Sequence, residues 1–213
     1  GGRSGGTRSD DPRPGSRNTA PVRKCTHCLR DRLDAVLLGN RACHGEKTAA
    51  RQIVLSPDYV NDHTLFVATA GEGLLWTADN GANWSQLTPF PTCSSVALSP
   101  TFRTDSVAFA AFVPDVEYPV GGVVYATNGR DGLGRLQWVL RNDGLEETSA
   151  EALAVSPGFN RDSTVWLGTG GDGVYRLRRS VQDVWQQSSI GLSALHVTSI
   201  GTSPLFGLDR FLM

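Results

Sequence analysis

The chain has 213 residues, 39 % of them hydrophobic and five of them Trp, enough for a packed core in one domain or two small ones. Its net charge of −1 hides an uneven distribution: residues 1–51 carry 11 Lys/Arg against 5 Asp/Glu, and residues 52–213 carry 9 against 16. A basic leader without interleaved aromatics and an acidic body give no case for a nucleic-acid partner, and no apolar run approaches the roughly 20 residues of a membrane span. No apolar h-region opens the sequence, although residue 1 is Gly rather than Met, which leaves a removed secretory signal open.

Residues 1–22 are Gly, Arg, Ser and Pro with almost nothing to bury, and read as disordered. Within residues 23–51 the spacing of Leu33, Val36 and Leu37 predicts a short helix over Arg30–Leu38, making 1–51 a loosely helical basic leader. The leader also holds Cys25, His27, Cys28, Cys43 and His44, whose C-x2-C step could open a zinc knuckle. Neighbouring ligands such as Cys43 and His44 point in different directions, and no second spaced pair exists. The expectation is therefore ordinary thiols, with no metal and no cofactor. Cys93 is the only cysteine after the leader, which is no disulfide framework.

From Gln52 the pattern is β. In the first unit, strands are predicted at Ile53–Ser56, Thr64–Ala70, Leu74–Ala78 and Asn83–Leu87. The second strand, TLFVATA, has equivalents in SVAFAAF (Ser106–Phe112) and STVWLGT (Ser163–Thr169), rich in the β-branched and aromatic residues that a pleated surface favours. A Gly-rich turn follows each time, and the third strand then reaches an aromatic: Trp76, Tyr125 and Tyr175. One opening precedes each second strand: SPDYVND (Ser56–Asp62), SPTFRTD (Ser99–Asp105) and SPGFNRD (Ser156–Asp162), with a fourth, SPLFGLD, at Ser203–Asp209. The prolines, Pro57, Pro100, Pro157 and Pro204, recur at separations of 43, 57 and 47 residues, the mark of one supersecondary unit copied along the chain. The predicted fold is all-β, a partial β-propeller of four-stranded antiparallel blades. Blades are expected at about 52–92, 93–148 and 149–194, with 195–213 as the start of a further one, so that the chain reads as a fragment of a longer array. Each opening Asp is expected to close its loop against backbone N–H groups rather than to bind calcium, since the aspartates come one per blade.

Between strands three and four of the first unit lies TADNGANW, Thr77 to Trp84. Asp79 can accept hydrogen bonds from its own turn, Gly81 can supply a positive φ, and Trp84 brings a large apolar surface. The segment resembles the Asp-box of the BNR-repeat propellers through Thr77, Asp79, Gly81 and Trp84, with Asn83 where that superfamily has Thr. The resemblance covers Gln52–Met213 and implies a propeller in which the box is a fold element remote from any active site. Later units depart from it: YATNGRDGLGRLQW (Tyr125–Trp138) keeps Thr127 and Trp138, and YRLRRSVQDVW (Tyr175–Trp185) keeps only its aromatic ends. The superfamily includes sialidases, whose resemblance implies an arginine triad; here Arg103, Arg161 and Arg210 fall near successive openings but out of register, and read as solvated loop charges.

The candidate binding loop is the insertion Pro114–Gly121, PDVEYPVG, with Asp115, Glu117 and Tyr118, because long loops on a rigid scaffold carry binding. The functional expectation is a non-catalytic binding or assembly scaffold for a protein or glycan ligand, in an extracellular or cell-envelope setting and of bacterial type. A sialidase-like glycoside hydrolase fragment is the alternative. Exposed blade faces are expected to favour self-association.

Overall fold

A computed structural model describes residues 1–2, 49–86, 91–114, 122–130, 132, 134–146, 149–178, 182–204 and 206. They form three four-stranded antiparallel sheets in simple up-and-down order. The first blade holds β1 (Ala49–Leu55), β2 (Leu65–Ala70), β3 (Leu74–Thr77) and β4 (Ser85–Gln86). The second holds β5 (Cys93–Leu98), β6 (Ala108–Phe112), β7 (Gly122–Arg130) and β8 (Leu136–Leu140). The third holds β9 (Ala150–Val155), β10 (Thr164–Thr169), β11 (Val174–Arg178) and β12 (Gln182–Gln187). These are blades of a β-propeller, as the repeat predicts. The leader cysteines and histidines, the Arg30–Leu38 segment and Arg210 lie outside the described residues.

The first strand begins at Ala49, before the compositional break at Arg51. A bulge explains how the ladder crosses that break: Ala50 pairs with Thr69 and Gln52 with Ala68, leaving Arg51 over. The same irregularity recurs at Ser94, between Cys93 and Ser95, and at Glu151, opposite the Gly168–Thr169 step. All three sit five residues before an opening serine. The bulge is a property of the repeat that no single residue type announces.

The openings contain one-turn helices that the sequence pattern did not reveal: α1 (Tyr59–Asp62), α2 (Phe102–Asp105) and α3 (Phe159–Asp162). Each ends in a left-handed residue that is not glycine, namely His63 (φ 49°), Ser106 (φ 52°) and Ser163 (φ 50°). The left-handed cost of about 1–2 kcal/mol is offset because the N–H of each returns to the carbonyl of Tyr59, Phe102 or Phe159.

The core lies between blades. Strand register gives every blade two apolar faces, so β6 and β10 are buried on both. The aromatic of one opening is received by the aromatic four residues after the Asp of the previous opening. Phe102 meets Phe66 edge-on with centroids 5.6 Å apart. Phe159 meets Phe109 at 5.9 Å, and Phe206 meets Trp166 at 6.1 Å. The first strands are also joined side by side. Gln52 Oε1 accepts the Val96 N–H at 2.7 Å, and Ser95 Oγ accepts the Leu153 N–H at 3.2 Å. Gln52 and Ser95 each stand four residues before their own opening serine, so two chemically different side chains perform one bond.

Register corrects the alignment of the third strands. Trp76 pairs with Phe66 and Tyr125 with Phe109, but the partner of Trp166 is Arg176. Tyr175 therefore faces the opposite side of its blade from the Trp76 position, and the Arg176 guanidinium lies 5.8 Å from the Trp166 ring centre.

Candidate functional site

Antiparallel order places the openings and the β3–β4 turns on one rim, and the β2–β3 turns and interblade links on the other. The first rim is closed by a repeated lock. Ser56 Oγ donates to Asp62 Oδ2 (2.6 Å), the Asp58 N–H donates back to Ser56 Oγ (3.2 Å), and the Thr64 N–H donates to Asp62 Oδ1 (2.9 Å). In the second blade Ser99 and Asp105 repeat this with the Thr101 and Val107 N–H groups, at 2.6, 3.1 and 2.9 Å. In the third, Ser156 and Asp162 do so with Gly158 and Thr164, at 2.7, 3.1 and 2.9 Å. The serines are buried, so each bond replaces water that the hydroxyl has lost. Among the described residues, no group of three or more His, Cys, Asp or Glu is arranged to hold a metal ion.

Thr77, Asp79, Gly81 and Trp84 come together on this rim in one hydrogen-bonded turn. Asp79 Oδ1 accepts from Thr77 Oγ1 (2.7 Å) and the Asn83 N–H (2.8 Å), and its Oδ2 accepts from Asn83 Nδ2 (2.6 Å). The Gly81 N–H donates to Thr77 Oγ1 at 3.1 Å, and the Trp84 indole N–H closes on the Gly81 carbonyl at 3.2 Å. Asn83 thus fills the Thr place with two bonds. These bonds, from Asn83 first and Thr77 next, hold the Asp79 carboxyl at about 2, down from 3.8. Gly81 is required by its φ of +84° rather than by space, since a Cβ there would meet the Trp84 ring at an ordinary 3.5 Å. Asn80 binds this turn to the opening by donating its N–H to the His63 carbonyl (3.2 Å), and its side chain accepts the Tyr59 hydroxyl proton.

Of the three arginines, Arg103 is not a lone solvated charge. It pairs across the blades with Asp58, holding that carboxyl below its ordinary value, though its side chain is largely exposed. Arg161 is exposed and does not join it.

The opposite rim carries the loop singled out by sequence. Asp115, Glu117 and Tyr118 lie outside the described residues. The loop's base is described: Phe112 pairs with Gly122, and the Val113 N–H reaches the Thr92 carbonyl at 3.4 Å. The equivalent turns are short in the other two blades, and both are closed by threonine. Thr69 Oγ1 donates to the Gly73 carbonyl (2.9 Å) and accepts the Glu72 N–H (3.1 Å). Thr169 does the same with Gly173 (3.0 Å) and Asp172 (3.0 Å). Sequence reasoning missed one constellation on this rim: the Tyr175 hydroxyl donates to Asp172 Oδ2 at 2.7 Å, with Glu146 close by. Burial first, then Asp172, pushes the Tyr175 hydroxyl up to about 12. The signal was the Asp-Gly-Val-Tyr spacing, which places a turn carboxylate three residues before a strand tyrosine.

Cys93 is a buried free thiol at the start of β5, its Sγ 3.7 Å from the Ser95 carbonyl, and burial raises its pKa. Such a thiol packs as a small apolar group. No helix among the described residues is long and apolar enough to cross a membrane.

No protein-family model matches the sequence, and no curated protein does. Solved structures do resemble it in fold. A GH74 xyloglucanase from Xanthomonas campestris is 16 % identical over 81 % of this chain and 28 % of that one, with a TM-score of 0.52. An ancestral GH74 enzyme is 17 % identical over 73 % of this chain and 20 % of that one, at 0.51. The structure of U3-55K is 11 % identical over 75 % of this chain and 44 % of that one, at 0.50. The chain spans less than half the length of each. GH74 enzymes are β-propellers, and the likeness to them is one of fold.

Proposed function

We propose that this propeller segment is a non-catalytic binding or assembly scaffold of the BNR/Asp-box type. Its ligand surface is the rim that bears the β2–β3 turns, and the insertion with Asp115, Glu117 and Tyr118 is the contact loop. The observation that carries this reading is the use to which the repeat's reactive side chains are put. Asp62, Asp105, Asp162 and Asp79 each accept hydrogen bonds on both carboxylate oxygens from the turn that contains them. A carboxylate so engaged closes a loop and is poorly placed to exchange protons with a substrate. The opposite rim, with Glu72, Glu146, Asp172 and the long insertion of the second blade, offers acceptor groups to a protein or glycan ligand.

The reading is tested by screening the full chain on an array of glycans, with Glu117→Ala and Tyr118→Ala beside it. A bound glycan lost in both variants supports the loop, and equal binding in all three moves the surface elsewhere. The GH74 likeness in fold favours one second reading, a glycoside hydrolase segment. Release of new reducing ends from xyloglucan by this chain would replace the scaffold reading with that one.

A further inference from the structure

Two Asn-Gly steps occur in the sequence, Asn80–Gly81 in the turn between β3 and β4 and Asn128–Gly129 within β7. At such a step the asparagine amide is open to attack by the next main-chain nitrogen, because glycine has no Cβ to shield it. Asn80 is exposed and left-handed, with φ 61°. Gly81 follows at φ +84°, and the nearest atom to where its Cβ would stand is in the Trp84 ring, at 3.5 Å. Water therefore reaches the Asn80 side chain.

The reacting groups are nevertheless each held. The nucleophile is the Gly81 nitrogen, whose N–H donates to Thr77 Oγ1 at 3.1 Å. That hydroxyl itself donates to Asp79 Oδ1 at 2.7 Å and belongs to a residue that is 1 % exposed, so water does not readily replace it. The electrophile is Asn80 Cγ, and the oxygen of the same amide accepts the Tyr59 hydroxyl proton. The Asn80 N–H is tied to the His63 carbonyl at 3.2 Å. Ring closure needs the Gly81 nitrogen to lose its proton and the side chain to swing onto it. Thr77 opposes the first movement and Tyr59 the second.

The geometry points to Asn80 as a modification site: it deamidates spontaneously, at a rate set by local opening of its contacts with Thr77 and Tyr59. The Gly81 nitrogen gives its proton to solvent and forms a bond to Asn80 Cγ. The Cγ–Nδ2 bond breaks, and the nitrogen leaves as ammonia with a proton from water, which leaves a succinimide. Water then adds to one ring carbonyl, breaking its bond to the Gly81 nitrogen, which regains a proton. Opening at Cγ yields aspartate, and opening at the main-chain carbonyl yields isoaspartate; in both the amide NH2 has become OH. Isoaspartate carries the chain through one extra methylene. Asp79 holds Thr77 on one side and Asn83 on the other across this very residue, so the lengthened turn loses those bonds and its tie to the opening.

The test is peptide mapping by mass spectrometry of the full chain, aged in mildly alkaline buffer with and without guanidinium chloride, with isoaspartate located at Asn80 and at Asn128. Tyr59→Phe, Thr77→Ala and Thr77→Ser are aged beside it, and circular dichroism establishes that each folds. Asn80 is expected to react more slowly in the folded chain than in denaturant. Tyr59→Phe and Thr77→Ala should each react about twofold to tenfold faster at Asn80, the effect of one hydrogen bond on a local opening. Thr77→Ser, which keeps the hydroxyl, should stay slow. No reaction at Asn80 in denaturant overturns the site. Equal rates in folded and denatured chain, variants no faster than the unaltered chain, or a rise at Asn80 matched at Asn128 would each overturn the gating by Thr77 and Tyr59.

Discussion

Replacing Phe102 by Ala isolates the contribution of one blade to the stability of its neighbour. Phe102 is 1 % exposed and meets Phe66 edge-on at 5.6 Å and 85°. A Phe truncated at such a site costs about 3–5 kcal/mol, of which the ring pair accounts for about 0.5–1.5 kcal/mol. Tyr59 stands at the same place in the first blade, where no ring of a preceding blade receives it among the described residues. It is half-buried, edge-on to His63 of its own blade at 6.1 Å, and hydrogen-bonded to Asn80. Tyr59→Ala should therefore cost only about 1 kcal/mol, in the range of a partly exposed side chain that loses one hydrogen bond. Urea unfolding followed by tryptophan fluorescence measures both, and Phe66→Leu combined with Phe102→Leu gives the coupling as a double-mutant cycle. If the two Ala variants differ by less than about 1 kcal/mol, the aromatic serves its own turn and the interblade account is wrong.

Ser99→Ala removes the donor to Asp105 and the acceptor of the Thr101 N–H at a fully buried position. The expected cost is about 1–3 kcal/mol in chemical denaturation, against no change for a Ser→Ala substitution at exposed Ser85. Gly144→Ala places a Cβ 2.3 Å from the Trp185 carbonyl oxygen at φ +87°. A loss of more than about 2 kcal/mol, with a red shift in fluorescence as Trp185 meets water, is expected. The Asp79 carboxyl lies at about 2 in the folded chain against 3.8 as an ordinary value. The unfolded chain thus binds more protons between these values, and the stabilisation from Asp79 is complete above about pH 4 and lost as pH falls towards 2. Midpoints of thermal unfolding from pH 7 to 2 should show Asp79→Asn less acid-sensitive than the unaltered chain over that window.

The all-β fold and its four-stranded antiparallel units are legible because each unit repeats the same local chemistry. A proline ends the first strand, a β-branched and aromatic run makes the second, and glycines turn into the third. Position along a unit proved more informative than residue type. The opening aromatic and the aromatic four residues after the Asp could both be read as core, but that they touch across two blades required the fold. The bond made by Gln52 and again by Ser95 was hidden for the opposite reason: the same carbonyl-like acceptor role is filled by an amide in one blade and a hydroxyl in the next. Tyr175 was misaligned because aromatic identity was used where strand register decides, and Arg176 holds the place instead. The opening turns were read as loops closed by Asp, which they are, yet their helical turn and left-handed ends depend on backbone bonds that leave no compositional mark. On the rim proposed to bind, the sequence points to Asp115, Glu117 and Tyr118 by loop length alone. The Asp172–Tyr175 pair, formed within one short turn and strand, needed the direction of each side chain.

The three trailing faces differ in how they hold the strand that follows. The first and second blades offer Gln52 and Ser95 to the strand that follows, but the third has Ala152 at that position, which has no polar atom to accept the next N–H. Its hold on residues 195–206 rests on other contacts: the Leu195 carbonyl on the Gly173 N–H (2.8 Å), the Val197 N–H on Thr169 (2.9 Å), and Phe206 on Trp166. Gly168 also admits Val197, since a Cβ there would stand 2.6 Å from it. The third interface thus lacks the central clasp but keeps the rest: its Leu195 bond has a counterpart at the first, where the Gly73 N–H meets the Pro91 carbonyl at 2.7 Å, and Thr202 Oγ1 donates to the Val155 carbonyl at 3.5 Å. Backbone bonds of this kind can be made by any strand of matching register. A trailing face held in this way recognises the register and apolar shape of the strand that follows, through Trp166, Phe206 and Ile200, rather than one particular polar residue.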